Sequence, residues 1–255
     1  MSDLKYPRAL LKLSGEVLAG PAGHGIDFAL ANIICGHIKT CVDAGAQLGV
    51  VIGGGNFWRG RSSGGMDAVH ADQMGMLATM MNAIALADTL AQLGQPALVQ
   101  AAHVMPQFAM GVNKAAALNA LAAGKVVVFG GGTGNPFFTT DSCAALRAAE
   151  IEARVVLKAT NVDGVYDSDP RKNPEAKKID TLTHDEILAR RLNVMDATAA
   201  ALCRDKNIPM LVFNLNNPAN ILAALQGQNV GTLVVNEPKK TIGQILTYLM
   251  DKQEK

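Results

Sequence analysis

The sequence predicts an α/β fold: a three-layer αβα sandwich around a central, mainly parallel sheet. Two observations predict it. Short aliphatic runs alternate with helix-like segments along the chain, and strands alternating with helices imply a parallel sheet covered on both faces. Several aliphatic runs end directly in glycine clusters, where such sheets bind their ligands. The length of 255 residues and a 49% hydrophobic content suffice for one sizeable core.

Arg8–Leu13 reads as a first strand running into Ser14-Gly15. Asp27–Ala44 reads as a helix, capped by Asp27 and stopped by Gly45. Gln47–Ile52 is a buried strand followed at once by Gly53, Gly54 and Gly55. Asp67–Leu93 is a long helix, apolar on nearly all sides through Met74, Met76, Leu77, Met80, Met81, Ile84 and Leu86. A helix of that kind is buried in a large core or in a subunit interface. Ala97–Gln100 is a strand, Val112–Ala123 a helix ended by Gly124, and Lys125–Phe129 a buried strand before Gly130 to Gly132. The second half repeats the rhythm, with a helix over Thr140–Ile151 and a strand over Arg154–Leu157. A polar loop from 159 to 180 leads to short helices near Asp185–Arg191 and Asp196–Asn207. Met210–Phe213 and Thr232–Val235 are strands around a helix at Ala219–Leu225. One domain therefore spans 1–235. The remainder, 236–255, carries Ile242, Ile245, Leu246 and Leu249 at helical spacing, which fits a short terminal helix.

Composition excludes several classes. Net charge is +1 and aromatics are 4%, so neither a basic field nor a stacking surface marks nucleic acid as the partner. Charged residues at 18%, with abundant apolar ones, argue against disorder. The stretch between Asp72 and Asp88 lacks charge but is too short for a membrane span. The start, MSDLKYPRALLKLSGE, has no long apolar run, so no secretory leader is expected. Cys35, Cys41, Cys143 and Cys203 form no CxxC pair and read as reduced, packed thiols of a cytoplasmic protein.

Four segments carry chemistry. Lys12-Leu13-Ser14-Gly15 closes the first strand. It either aims an ammonium and backbone N–H groups at a phosphate or is a surface lysine before a turn. It is neither a Walker A loop nor a dinucleotide fingerprint. Gly53-Gly54-Gly55-Asn56 lets backbone approach an anion without a Cβ in the way, and Arg59 and Arg61 follow. Thr133-Gly134-Asn135-Pro136-Phe137-Phe138-Thr139-Thr140-Asp141 follows a strand and opens a helix. Its threonines suit a cap and an anion-binding helix start, and its two rings either wall a base or pack in the core. Thr160-Asn161-Val162-Asp163-Gly164-Val165-Tyr166 through Asp169-Pro170 is rich in turn residues, and fits either a nucleoside site or an ordinary polar loop.

Together, Lys-Leu-Ser-Gly, Gly-Gly-Gly-Asn and Asp-Gly-Val-Tyr-x-x-Asp-Pro resemble the amino-acid kinase superfamily. The Thr133–Asp141 string, Met74–Thr79 and Val194-Met195-Asp196 are similar to the bacterial uridylate (UMP) kinase family within it. The resemblance covers residues 8 to 235. It implies that Lys12, Leu13, Ser14, Gly15, Gly55 and Arg59 contact ATP phosphates, and that Thr160, Asn161, Tyr166 and Asp169 hold the adenosine. It implies that Gly54, Asp72 and the loop Thr133, Gly134, Asn135, Pro136, Phe137, Phe138, Thr139 and Thr140 hold UMP. The acceptor part is then N-terminal and the ATP part begins near residue 150. Gly20, Pro21, Ala22, Gly23, His24 and Gly25 match the segment linked to activation by GTP, and UTP is the expected inhibitor. The family assembles as homohexamers built from dimers. Gly131 stands where relatives commonly have alanine.

The implied reaction joins the γ-phosphoryl group of ATP, carried with Mg²⁺, to a phosphate oxygen of UMP. That oxygen has a pKa of about 6, so it needs no general base, and the five scattered histidines receive no catalytic role. Lys12 and Arg59 are the leading charge-stabilising groups, and Lys158 either neutralises the leaving phosphate or is solvated. Asp196 either orients Lys12 or simply caps a helix. No metal-ligating set is expected. The rival readings are a kinase of the same fold acting on a carboxylate or carbamate, and a nucleotide-sensing subunit without turnover.

Overall fold

The computed structural model describes residues 3–59, 64–168, 173, 175–190, 192 and 194–237. Most of the 236–255 extension, from residue 238 on, lies outside them.

The first half contains the strands β1 (Arg8–Leu13), β2 (Gln47–Ile52), β3 (Ala97–Ala101), β4 (Met110–Gly111) and β5 (Val126–Gly130). Its helices are α1 (Phe28–Asp43), α2 (Ala68–Gln92) and α3 (Lys114–Ala122). Helix α4 (Thr140–Glu150) leads to β6 (Val156–Thr160). The second half adds β7 (Val165–Tyr166), β8 (Lys178–Ile179), β9 (Thr181–Thr183), β10 (Met210–Asn214) and β11 (Gly231–Val235). Its helices are α5 (His184–Arg190), α6 (Ala197–Asp205) and α7 (Asn220–Leu225). Among the described residues nine strands form one sheet, in the order β4-β3-β5-β2-β1-β6-β10-β11-β9. All pairs in it are parallel except β10 with β11. The αβα sandwich expected from the sequence is the observed architecture.

Alternation along the strands sorts the core into two layers. Leu11, Leu13, Val50, Ile52 and Phe213 face α1, α2 and α7, with Ile34, Ile38, Leu86 and Ile221 as partners. Leu10, Val51, Phe129, Val156 and Val212 face the other way, onto Leu121, Ala144, Ala148 and Ala199. Lys12 and Lys158 share the parity of Leu10 and Val156 on neighbouring strands, and stand directly opposite each other in register. Caps match the sequence signals: Asp27 accepts from Leu30 N at 3.1 Å, and Asp67 from Val69 N at 3.0 Å.

Strand ends differ from the sequence reading. The strand expected over Arg154–Leu157 runs instead over Val156–Thr160. A polar Lys158 and Thr160 mask it locally, and pairing with β1 and β10 imposes it. The loop from 159 to 180 contains the two-residue hairpin β7–β8, and the short edge strand β9 was not expected. Helix α2 has the length and hydropathy of a membrane span, but half of its most apolar window is buried in the protein. Gly131 has φ of 78°, a left-handed geometry that glycine adopts without strain.

Candidate active site

Strands β2 to β5 spread to one side of the β1–β6 pair, and β10, β11 and β9 to the other. The order reverses there, and ligands of open α/β sheets sit at the carboxyl end of that switch point. Lys12 and Lys158 occupy it. Two like charges side by side repel, and both are largely buried. Asp141, in the first turn of α4, resolves this. Its Oδ1 lies 2.9 Å from Lys12 Nζ and its Oδ2 2.5 Å from Lys158 Nζ. The Lys12 contact is ionic, with no aligned hydrogen bond to Oδ1. Lys158 also donates to the carbonyl of Val194. Burial pushes the Asp141 carboxyl upward, but the two ammonium groups together outweigh it and hold it below its usual value. Burial, aided by Lys12 and opposed by Asp141, holds Lys158 below its usual value.

Asp196 does not pair with Lys12. It caps α6, accepting from Ala199 N at 2.7 Å, and also accepts from the hydroxyl of Thr139 and from Ser142 N and Oγ. It therefore staples the start of α4 to the start of α6. Of its two expected readings, the helix cap holds. The partner of Lys12 is Asp141, which the sequence marked only as the end of the Thr133–Asp141 string.

Two cavities lie at this end of the sheet, and the lysines line the first. One, of about 820 Å³, is lined by Lys12, Ser14, Glu16, Lys158, Thr160 and Asn161. The other, of about 500 Å³, is lined by Gly54, Gly55, Arg59, Asp72, Thr133, Asn135, Phe138, Thr139 and Thr140, with Trp58. Gly55 and Arg59, expected with Lys12, thus line the second cavity, and Arg59 reaches Glu16 of the first at 2.5 Å. Gly15 lies beneath the glycine loop: a Cβ there would meet Gly53 O at 2.5 Å. Leu13 is fully buried, so its backbone alone is available.

The loop over 133–139 is held toward its C-terminal end. Thr139 caps α4 by accepting from Asp141 N at 3.0 Å. Phe137 has φ of 71°, strained for a non-glycine residue, and its N–H donates to Asp72 Oδ2 at 2.7 Å. Phe138 lines the second cavity, whereas Phe137 is 72% exposed. Gly134, Pro136 and Phe137 do not line it. Tyr166 stands outside the first cavity, its hydroxyl donating to Asp163 Oδ1 at 2.8 Å. Asp169 and Arg61 lie outside the described residues.

Gly20 begins a 3-10 turn over Gly20–Ala22 and lines the first cavity. Pro21, Ala22, Gly23, His24 and Gly25 follow it at the surface, with His24 Nδ1 3.0 Å from Ala22 O. Sequence reasoning did not single out Glu16, Trp58 or Asp141 as site residues. Trp58, the single tryptophan and a neighbour of Arg59, carried the one available signal. A third cavity, of about 930 Å³ and lined by Arg8, Gln47, Arg154 and Lys206, lies at the opposite end of the strands.

Paired cations at a switch point, buttressed by a buried acid and open to one cavity, with a second cavity lined by Arg59 and the glycine loop nearby, suit transfer of a phosphoryl group between two ligands. That defines a phosphotransferase. The amino acid kinase family profile matches residues 7–214. The fold is similar to the UMP kinase of Bacillus anthracis, with a TM-score of 0.88, 35% identity and coverage of 91% of this chain and 97% of that one. It is similar to the UMP kinase of Ureaplasma parvum, with a TM-score of 0.85, 39% identity and coverage of 91% and 100%. The uridylate kinase of Archaeoglobus fulgidus matches with a TM-score of 0.67, 32% identity and coverage of 89% and 99%. The chain belongs to the amino acid kinase family, and within it to the group of UMP kinases.

Proposed function

We propose that the protein catalyses ATP + UMP → ADP + UDP, a step toward the pyrimidine nucleoside triphosphates. The observation that carries this reading is the Lys12–Asp141–Lys158 cluster at the sheet end that carries the two cavities, in a chain whose solved relatives are named UMP kinases. ATP takes the cavity lined by Thr160 and Asn161, to which residues before and after 150 both contribute, and UMP takes the one lined by Asp72 and residues of the 133–140 loop.

The attacking phosphate oxygen of UMP is mostly ionised at pH 7. The barrier is repulsion between two anions, and the remedy is positioning with positive charge. Lys12 and Arg59 hold the transferring group, and Lys158 the leaving phosphate. Asp141 fixes both lysines. Mg²⁺ neutralises the ATP phosphates when bound. Glu16 is paired with Arg59, and Asp141 with two lysines, so this donor set suits a cation carried by phosphate oxygens and water rather than by a protein cage.

Activation by GTP rests on the resemblance of Gly20–Gly25, and inhibition by UTP on the family likeness alone. The support for activation here is that Gly25 is hydrogen-bonded to Asn56 of the glycine loop. Homo-oligomers, hexamers by family likeness, would bury the exposed side of α2. Buried thiols, with Cys35, Cys41 and Cys203 pushed up to about 12, suit a reducing cytoplasm.

The test is ADP formation from Mg·ATP with UMP, CMP or no acceptor, beside Lys12→Ala. UMP-specific turnover that falls about 10²–10³-fold in the variant is expected. Equal turnover with CMP overturns the acceptor assignment. A folded protein that binds UTP without turnover is a sensor and not a kinase.

A further inference from the structure

Helix α2 is apolar on nearly every side, yet Asn82 sits in its middle with no exposed surface. A buried amide is costly unless bonded, and this one is fully engaged. Asn82 Nδ2 donates to Gly53 O at 2.7 Å and to Asn56 Oδ1 at 2.7 Å. Asn56 Nδ2 donates back to Asn82 Oδ1 at 3.0 Å and onward to Gly25 O at 2.7 Å. Gly25 N donates to Asn56 O at 3.0 Å. Asn56 is also buried. The two amides thus clamp the first residue of the glycine loop and the residue that ends it.

That loop cannot position itself. Gly53, Gly54 and Gly55 have no side chains, and glycine backbone is the most permissive in the chain. Its N–H groups serve a phosphate only in one place, and a misplacement of about 1 Å can cost 10²-fold in rate. Neither asparagine lines either of these two cavities. We infer that Asn82 and Asn56 are positioning residues: they hold the Gly53–Gly55 backbone in register with the transferring phosphate and tie it to α2. The inference rests on the proposed reading of that loop as a phosphate cradle.

Two readouts test it in the full-length protein. In Asn82→Leu, which keeps the branched shape and removes the donors and the acceptor, kcat per folded molecule is expected to fall about 10–10²-fold while KM for ATP and UMP moves by less than about threefold. The double variant with Asn56→Leu is expected to be no worse than the single one, because the pair acts as a unit. Asn56→Ala, made outside the core helix, carries the test if Asn82→Leu does not fold. A purely structural pair would lower the melting temperature and leave kcat per folded molecule unchanged, which overturns the inference. The second readout is amide exchange of residues 53–56 with and without Mg·ATP. Protection in the wild type that is lost in the variant supports the clamp, and equal protection in both overturns it. This arm decides the matter even if the wild type turns over no UMP, an outcome that would sink the proposed reaction separately.

Discussion

Lys12, Lys158 and Asp141 form one electrostatic unit, and removing a member exposes the others. Asp141→Asn leaves two buried ammonium groups facing each other. Breaking such a pair commonly costs about 3–5 kcal/mol, so urea denaturation of the variant is expected to show a loss of that size. Protonation should act in the same direction. Asp141 is held below its usual carboxyl value, so its stabilising share is complete above that value and disappears as pH falls through the lowered one. Lys158 acts with the same sign at the alkaline end. It is held below its usual 10.5, so between its folded and unfolded pKa values the unfolded chain binds more protons and stability rises with pH. Over that same window the folded enzyme loses a cation that faces phosphate, and kcat is expected to fall. A pH profile of kcat beside one of unfolding free energy checks this. Parallel alkaline trends would remove Lys158 from the reaction. The lysines were legible as strand-end residues. Their shared acid was not, because it is 129 positions from Lys12 and 17 from Lys158 and meets them only when α4 packs on β1 and β6.

Helices α4 and α6 start at the same point because Asp196 bonds both. Asp196→Ala removes a cap and three further hydrogen bonds, an expected loss of about 2–4 kcal/mol by thermal or chemical unfolding. Because Thr139 and Thr140 line the smaller cavity, KM for UMP is expected to rise in the variant as well. Unchanged KM with lowered stability would make Asp196 a cap alone. A second prediction concerns the glycine loop. A Cβ on Gly54 would lie 2.7 Å from Ala78 Cβ and 2.9 Å from Gly75 O. Gly54→Ala must therefore push the loop off α2, and a fall in kcat of about 10-fold or more is expected in steady-state assays. Helix bounds were readable within a residue or two, since caps such as Asp27, Asp67 and Thr139 sit beside periodic runs. The β6 strand was read two residues early because Lys158 and Thr160 hide their strand character. Pairing with two neighbours overrides that local preference.

Across the whole molecule, α2 links three surfaces. Asp72 borders the smaller cavity, Asn82 grips the glycine loop, and Leu77, Met81 and Ile84 are 55%, 46% and 40% exposed on another side. Apolar side chains left in water at helical spacing fit contact with a second copy of the chain. Leu77→Glu with Met81→Glu is expected to yield a smaller species in sedimentation velocity at unchanged helix content, and an unaltered sedimentation coefficient would assign assembly to another face. From the sequence alone came the αβα class, most element positions and the segments that border the two cavities, because periodicity, caps and glycine clusters are local signals. Tertiary structure alone decided which charges meet. Asp141 between two lysines, Arg59 against Glu16, and Asn82 under the glycine loop join residues 17 to 129 positions apart. Those pairings arise from strand register and helix packing, and no local pattern in the chain encodes them.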